Sequence, residues 1–368
     1  MKFTIKKNIL DQTIEFISKY VDPINVFMPF RCVKIDVSYE KIIFTASNGL
    51  MSTKKILKVD ELNIKVETVG NALINNQYFK NIIKKLNEEI SIESNGKEIK
   101  IWEKEISYSL NCVDVEFPNI DFKKPENSFE INTSKLERAI RNVSFSASNE
   151  TSGKSLILKC INFSSKNDIL RLVATDTFRL STETIKINKP INVNFSIESK
   201  NIKNMITKEA PKNVIMFLDE SKVGIVYENT IIQSSIVDVP FVSFEGIIPT
   251  EFSRKITIKK SELLDLLNKV VFVQQEKYNR VEFKINKDLL TLSTNLSEIG
   301  QSTGSTTEFE LIGEPIDIDF NYIFIKDALS AFENDEINLC INKNGNIMLI
   351  VSKSNENNKQ VITPLRRY

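Results

Sequence analysis

Six stretches of the chain place apolar residues three and four positions apart, on one side only. Three of them follow a short β-favouring run: Leu10, Thr13, Ile14 and Ile17; Leu136, Ala139, Ile140 and Val143; Leu263, Leu266, Leu267 and Val270. The other three are Phe79, Ile82, Ile83 and Leu86; Ile202, Met205 and Ile206; Ile325, Ala328, Leu329 and Phe332. That period predicts amphipathic helices of about three turns. Ile5, Ile131 and Ile258, ahead of the first set, are 126 and 127 residues apart, and Phe79, Ile202 and Ile325 are spaced by 123 each time. One unit is therefore written three times.

Period-two alternation marks the strands. Each second helix is followed by two short alternating runs, for example Ile90 to Ile92 with Ile99 to Ile101, joined by turns such as Ser94-Asn95-Gly96-Lys97 with hairpin chemistry. Asn8, Ser134 and Ser261 stand near the starts of the first helices, where such residues cap orphan backbone N–H groups. Helices apolar on one side only are most simply laid on sheets. This gives an α+β fold of three tandem domains, 1–126, 127–252 and 253–368, each with two helices packed on antiparallel sheets.

Three strand ends resemble one another: Phe44 to Asn48, Leu172 to Asp176 and Leu292 to Asn295 each close on an Asp or Asn, which turns a chain by bonding nearby backbone. Only the middle copy runs on into Phe178-Arg179-Leu180, apolar groups flanking a cation. A partner is expected there.

The chain of 368 residues is 41% hydrophobic and 26% charged, ordinary for a folded soluble protein, with a net charge of +1. It contains no histidine, which excludes imidazole bases, Ser-His or Cys-His pairs and His metal ligands. Cys32, Cys112, Cys160 and Cys340 are 80, 48 and 180 residues apart and read as reduced thiols, not as a metal site. No cofactor or metal is implied. Charge interrupts the N-terminus at once and no run reaches the ~18 apolar residues of a membrane span, so a cytoplasmic protein without membrane contact is expected.

Opposite the apolar stripes, Lys80 and Lys84, then Lys135, Arg138 and Arg141, then Lys203 point outward on equivalent helices. Such a row can follow phosphates without reading bases. Asp11, Glu15, Glu262 and Asp265 make the charge uneven.

The three tandem copies, the start Met1-Lys2-Phe3-Thr4-Ile5, the stretch Val173 to Asp176 with Arg179-Leu180, Glu116-Phe117-Pro118-Asn119, and the end Val361-Ile362-Thr363-Pro364-Leu365-Arg366 resemble the bacterial DNA polymerase III beta subunit family, the β sliding clamps. The resemblance covers the whole chain. It implies a non-catalytic processivity factor: a head-to-tail homodimer whose six domains encircle duplex DNA without sequence specificity. It also implies a pocket for short hydrophobic peptides of the replicative polymerase and clamp loader. On the family's pattern the pocket takes Leu158, Thr175, Thr177, Phe178, Arg179, Leu180, Val242, Gly246, Ile247, Val361, Ile362, Pro364, Leu365 and Arg366. The dimer contact takes Tyr108 and Leu110 from the first domain and Phe272 and Val273 from the third. Phe178 stands where the family usually has His and Gly246 where Arg is common, implying a more apolar pocket. The reading of a different class is a repeat-built interaction scaffold that does not encircle DNA.

Overall fold

The computed structural model describes residues 1–368 except 61, 126, 150–152, 154, 273–278, 297–298, 334–335 and 368. In the first repeat the elements are β1 (Lys2–Lys6), α1 (Lys7–Ile17), β2 (Cys32–Val37), β3 (Lys41–Ser47), β4 (Met51–Lys58), β5 (Ile64–Thr68), β6 (Gly70–Asn75), α2 (Asn76–Ile83), β7 (Glu89–Ser94), β8 (Glu98–Glu103) and β9 (Ile106–Asn111). The second has β10 (Ser128–Asn132), α3 (Thr133–Ser144), β11 (Cys160–Lys166), β12 (Ile169–Thr175), β13 (Arg179–Lys186), β14 (Asn194–Glu198), α4 (Ser199–Met205), β15 (Asn213–Leu218), β16 (Lys222–Tyr227) and β17 (Thr230–Ser235). The third has β18 (Arg254–Lys259), α5 (Lys260–Val270), β19 (Arg280–Ile285), β20 (Leu290–Leu296), β21 (Gly300–Thr306), β22 (Phe309–Ile312), β23 (Ile316–Asn321), α6 (Tyr322–Ser330), β24 (Glu336–Ile341), β25 (Met348–Ser352) and β26 (Asn355–Ile362).

Every residue of the six predicted stripes is buried except Ile206, which is half-buried. The second helices are shorter than the stripes suggest. Past α2 the bonds Lys85 N to Ile82 O (2.9 Å) and Leu86 N to Ile83 O (3.2 Å) tighten to an i→i−3 pattern that turns the chain toward β7. The expected caps lie elsewhere. The residues before α1 and α5 are Lys6 and Lys259, without side-chain caps, and Asn8 and Ser261 fall inside the helices. Lys7 N bonds Glu88 O at 2.7 Å and Thr133 N bonds Lys212 O at 2.9 Å, so neighbouring backbone serves the first turns of α1 and α3. Asparagine caps α2 and α6 instead: Asn75 accepts from Gln77 N and Tyr78 N, and Asn321 from Ile323 N.

Each repeat carries a third strand after its second helix, β9, β17 or β26, and this strand organises the fold. The sheets run β5-β1-β7-β8-β9, then β10-β15-β16-β17-β4-β3-β2-β6, then β14-β11-β12-β13-β26-β25-β24-β18-β22, then β21-β20-β19-β23. Among the described residues the strands pair antiparallel: β17 pairs with β4 of the preceding repeat, Ile232 opposite Thr53, and β26 with β13, Val361 opposite Leu180. Two compact units result, residues 1–133 with 204–236 and residues 134–203 with 237–368. The middle repeat is divided between them because its halves complete the sheets of its neighbours.

In the first unit, Gly224 of β16 lies under the Phe217 ring, and a Cβ there would come within 2.2 Å of it. Tyr20, fully buried, donates from its hydroxyl to Asn204 O at 2.7 Å. In the second unit one core cluster gathers α5, α6 and the inward residues of β18–β20 and β23–β26, with Phe283 and Phe320 packed edge to face at 5.4 Å. Each such ring fully buried contributes roughly 1.5–3 kcal/mol. A buried polar seam follows β13 and β26: Glu183, fully buried, accepts from Arg138 Nε at 3.0 Å and Asn142 Nδ2 at 2.7 Å, and Gln360 Nε2 donates to Asn142 O at 3.1 Å. A buried carboxylate is tolerable because it is paired and bonded.

Candidate partner-binding groove

The turn between β12 and β13 builds the site. Asp176 Oδ1 accepts from the backbone of Phe178 and Arg179, each at 3.0 Å, while Thr175 Oγ1 donates to Arg179 O at 2.7 Å and accepts from Thr177 N at 3.1 Å. These bonds hold Thr177 at φ +82°, a left-handed conformation that a β-branched residue adopts only when its surroundings enforce it. The result lifts Phe178 outward, 54% exposed, beside the end of β26.

Arg179 does not offer its charge to a partner. Its Nε meets Asp176 Oδ2 at 3.1 Å, its Nη1 meets Asp327 Oδ2 of α6 at 2.6 Å, and its guanidinium lies 4.3 Å from the centre of the Phe324 ring. With a side chain only 10% exposed, the cation is a tie between the turn and α6.

Leu158, Thr175, Thr177, Phe178, Arg179, Leu180, Val242, Ile247, Val361 and Thr363 line one groove of about 200 Å³. Beneath it Val173, Leu180, Phe244, Cys340, Leu349 and Val361 form a separate apolar cluster. The floor is aliphatic and aromatic, and the rim carries three threonines.

Of the residues aligned to the family's pocket, nine meet there and the others do not. Gly246 sits in the turn closed by Ile247 N to Phe244 O at 2.9 Å, with open space around it. Ile362 points the other way, into the core of α5 and α6, because successive residues of a strand face opposite sides. Leu365 N bonds Asp319 O at 2.8 Å and Arg366 O accepts from Arg280 Nη2 at 3.2 Å, so beyond Thr363 the chain is tied to β19 and β23. Pro364 lies between, half-buried. Thr363 was not foreseen, though alternation from Val361 places it on the groove side; its N and Oγ1 both donate to Phe178 O, at 2.9 and 2.8 Å.

The strand-end pattern holds twice, not three times. At Ser47–Met51 the same bonds recur: Asn48 Oδ1 accepts from Leu50 N and Met51 N, Ser47 Oγ donates to Met51 O and accepts from Gly49 N, and Gly49 has φ +94°. In the third repeat β20 continues through Asn295, which pairs with Gln301.

The outward cations are partly engaged. Lys80 and Lys84 both reach Glu15, at 2.8 and 3.0 Å, holding its carboxyl below the usual range through those hydrogen bonds. Arg138 pairs with Glu183, Lys135 lies exposed on α3, and Arg141 and Lys203 are exposed. Tyr108 and Leu110 are half-buried on β9, opposite Ile101 and Ile99, and Phe272 is 47% exposed; Val273 lies outside the described residues. Burial pushes the Cys32 thiol up to about 11 and the Cys160 thiol up to about 12, so both stay protonated at neutral pH.

Three copies of one α+β repeat, sheets shared between neighbours and an apolar groove at a junction describe a tandem clamp-domain protein made for binding. Comparison with known proteins gives the family. Three stretches match the N-terminal, central and C-terminal domains of the DNA polymerase III beta subunit, over residues 1–121, 130–242 and 245–366. The chain is 31% identical over 373 residues to the beta sliding clamp of Mycoplasmopsis pulmonis, covering all of both. It is 25% identical to that of Bacillus subtilis, again over both whole chains. The crystal structure of the Bacillus subtilis DNA polymerase sliding clamp superimposes with a TM-score of 0.94 at 25% identity, and that of the Thermotoga maritima beta subunit with 0.90 at 21%, each over 100% of both chains. The chain belongs to the DNA polymerase III beta subunit family, the bacterial β sliding clamps, which are non-catalytic processivity factors of the polymerase III holoenzyme.

Proposed function

We propose that two copies of this chain join head to tail, close around duplex DNA, and hold the replicative polymerase and clamp loader through the groove at 175–179. The carrying observation is a pairing rule with one step missing. The last strand of a repeat pairs with the fourth strand of the repeat before it, β17 with β4 and β26 with β13, which leaves β9 and β21 as sheet edges. β9 of one copy against β21 of another is the same step, and a heterologous contact of this kind closes when its rotation fits. Tyr108 and Leu110 on β9, with Phe272 beyond α5, supply apolar surface for that joint.

Lys80, Lys84, Lys135, Arg138, Arg141 and Lys203 are assigned to the DNA-facing side as diffuse attraction. With a net charge of +1 the hold on DNA is a link in topology more than an ionic bond. In the groove, a short peptide buries Leu or Phe side chains against Leu158, Leu180, Val242, Ile247 and Val361, and a few such anchors carry most of the affinity. No helix among the described residues is long and apolar enough to cross a membrane; the place of action is assigned to the cytoplasm.

Loading onto nicked circular DNA tests the reading. The protein should stay on the circle through gel filtration at raised salt and leave when the circle is cut. Retention that falls steeply with salt and ignores linearisation would return the chain to the scaffold reading.

A further inference from the structure

In the first unit, Ser47–Met51 stands where Thr175–Arg179 stands in the second. The correspondence extends to the neighbouring strand: Ser235 N donates to Leu50 O at 2.8 Å, as Thr363 N does to Phe178 O at 2.9 Å. The same turn also closes β7 and β8 at Ser94–Glu98, so the turn alone marks no site. Beside Ser47–Met51, however, lies a groove of about 370 Å³, and its chemistry differs from that of its counterpart.

Phe30, Leu50, Met51 and Pro118 give it an apolar wall, with Leu50, 43% exposed, in the place of Phe178. Facing them, Lys222 Nζ reaches Asp121 Oδ2 at 3.0 Å and Asp219 Oδ2 at 3.9 Å, so a single ammonium is shared between two carboxylates. Gln233, 5% exposed, donates from Nε2 to Asp121 O at 3.0 Å, which ties the stretch carrying Asp121 to β17.

We propose that this groove is a second peptide site, taking a short extended segment that sets a lysine or arginine beside an aliphatic residue. The aliphatic group packs on Leu50, Met51 and Pro118. The cation balances the carboxylate that Lys222 leaves unmatched. The proposal rests on reading the groove at 175–179 as a peptide site, since their shared position in the repeat is what suggests a peptide here.

Met51 lines the groove and reports on it. In the full-length protein labelled with 13C-methyl methionine, the probe acetyl-Ala-Lys-Leu-Ala-amide should shift the Met51 methyl signal at millimolar concentration. The signal should move equally in Phe178→Ala and stay still in Leu50→Asp, an exposed change that leaves the core alone. The analogue with Glu in place of Lys should not move it. A stationary Met51 signal with the basic probe overturns the proposal, as does an equal response to the acidic probe or a response that survives Leu50→Asp. Fluorescence polarisation of a labelled Leu- and Phe-rich peptide, competed by neither probe, follows the other groove in parallel. Loss of that signal with the Met51 response intact counts against the 175–179 reading alone; its persistence with Met51 silent counts against this one alone.

Discussion

The turns at Ser47–Met51 and Thr175–Arg179 share their backbone bonds and differ in nearly every side chain. The first uses glycine at the left-handed position, beside the Phe30 ring at 3.0 Å from where a Cβ would stand, and follows it with buried Met51. The second forces Thr177 into that conformation and follows it with Arg179, tied to Asp176 and Asp327. One backbone design thus gives a polar groove with a relaxed turn in one place and an apolar groove with a strained, ion-braced turn in the other. What the repeat fixes is where a groove forms; what binds in it is left to a handful of side chains.

Exchanging the braces should have the largest effect. Arg179→Met leaves Asp176 and Asp327 without their cation and should cost about 3 kcal/mol, read from the urea midpoint. If Arg179→Met is neutral, the tie to α6 is ornamental and the two turns are alike in energy as well as in shape. Next come the left-handed positions. Gly49→Thr should cost about 2 kcal/mol, from the conformational strain and the contact with Phe30. Thr177→Gly should be near neutral in a thermal melt, because relief of about 1 kcal/mol of strain is offset by the similar entropy cost of ordering glycine.

A third contrast is in binding. Phe178→Ala should weaken a polymerase-derived hydrophobic peptide about tenfold in fluorescence polarisation, while Leu50→Ala should leave that affinity unchanged. Equal losses would mean that the two grooves do not divide their ligands. The smallest effect is electrostatic. The backbone N–H of Lys123, and then the Lys222 ammonium, hold the Asp121 carboxyl below its ordinary 3.8. A depressed carboxyl pKa gives a contribution to stability present above the unfolded value and lost as pH falls through the folded one. An NMR titration of Asp121 should therefore show a midpoint below 3.8, and Lys222→Met should raise it.

The helices were legible because a 3.6-residue period written three times is hard to mistake; Leu10, Leu136 and Leu263 are each fully buried at the predicted places. Their caps were not, since Lys6 and Lys259 precede helices whose orphan groups are met by distant backbone or by no side chain at all. The sharing of sheets was invisible too: Ile232 opposite Thr53 joins residues far apart in the chain, and no local pattern encodes such a partner. At the groove, the family's pattern named Leu180 and Val361 but could not separate Val361 from Ile362, which only the pleat assigns to opposite faces. Arg179 read only as a cation beside the turn, because Asp327, its partner on α6, lies 148 residues away.

The sharing of half-sheets has a consequence for how such a chain can change over time. Because β26 bears the same relation to β13 as β17 does to β4, excising or duplicating one whole repeat would still give each inner half-sheet a neighbour of the right kind. Locally the event would go unnoticed. Its cost would fall on the two terminal half-sheets, whose spacing depends on how many copies stand between them. Copy number is therefore the property that selection can see most sharply, while within a repeat the side chains beside each turn are free to diversify.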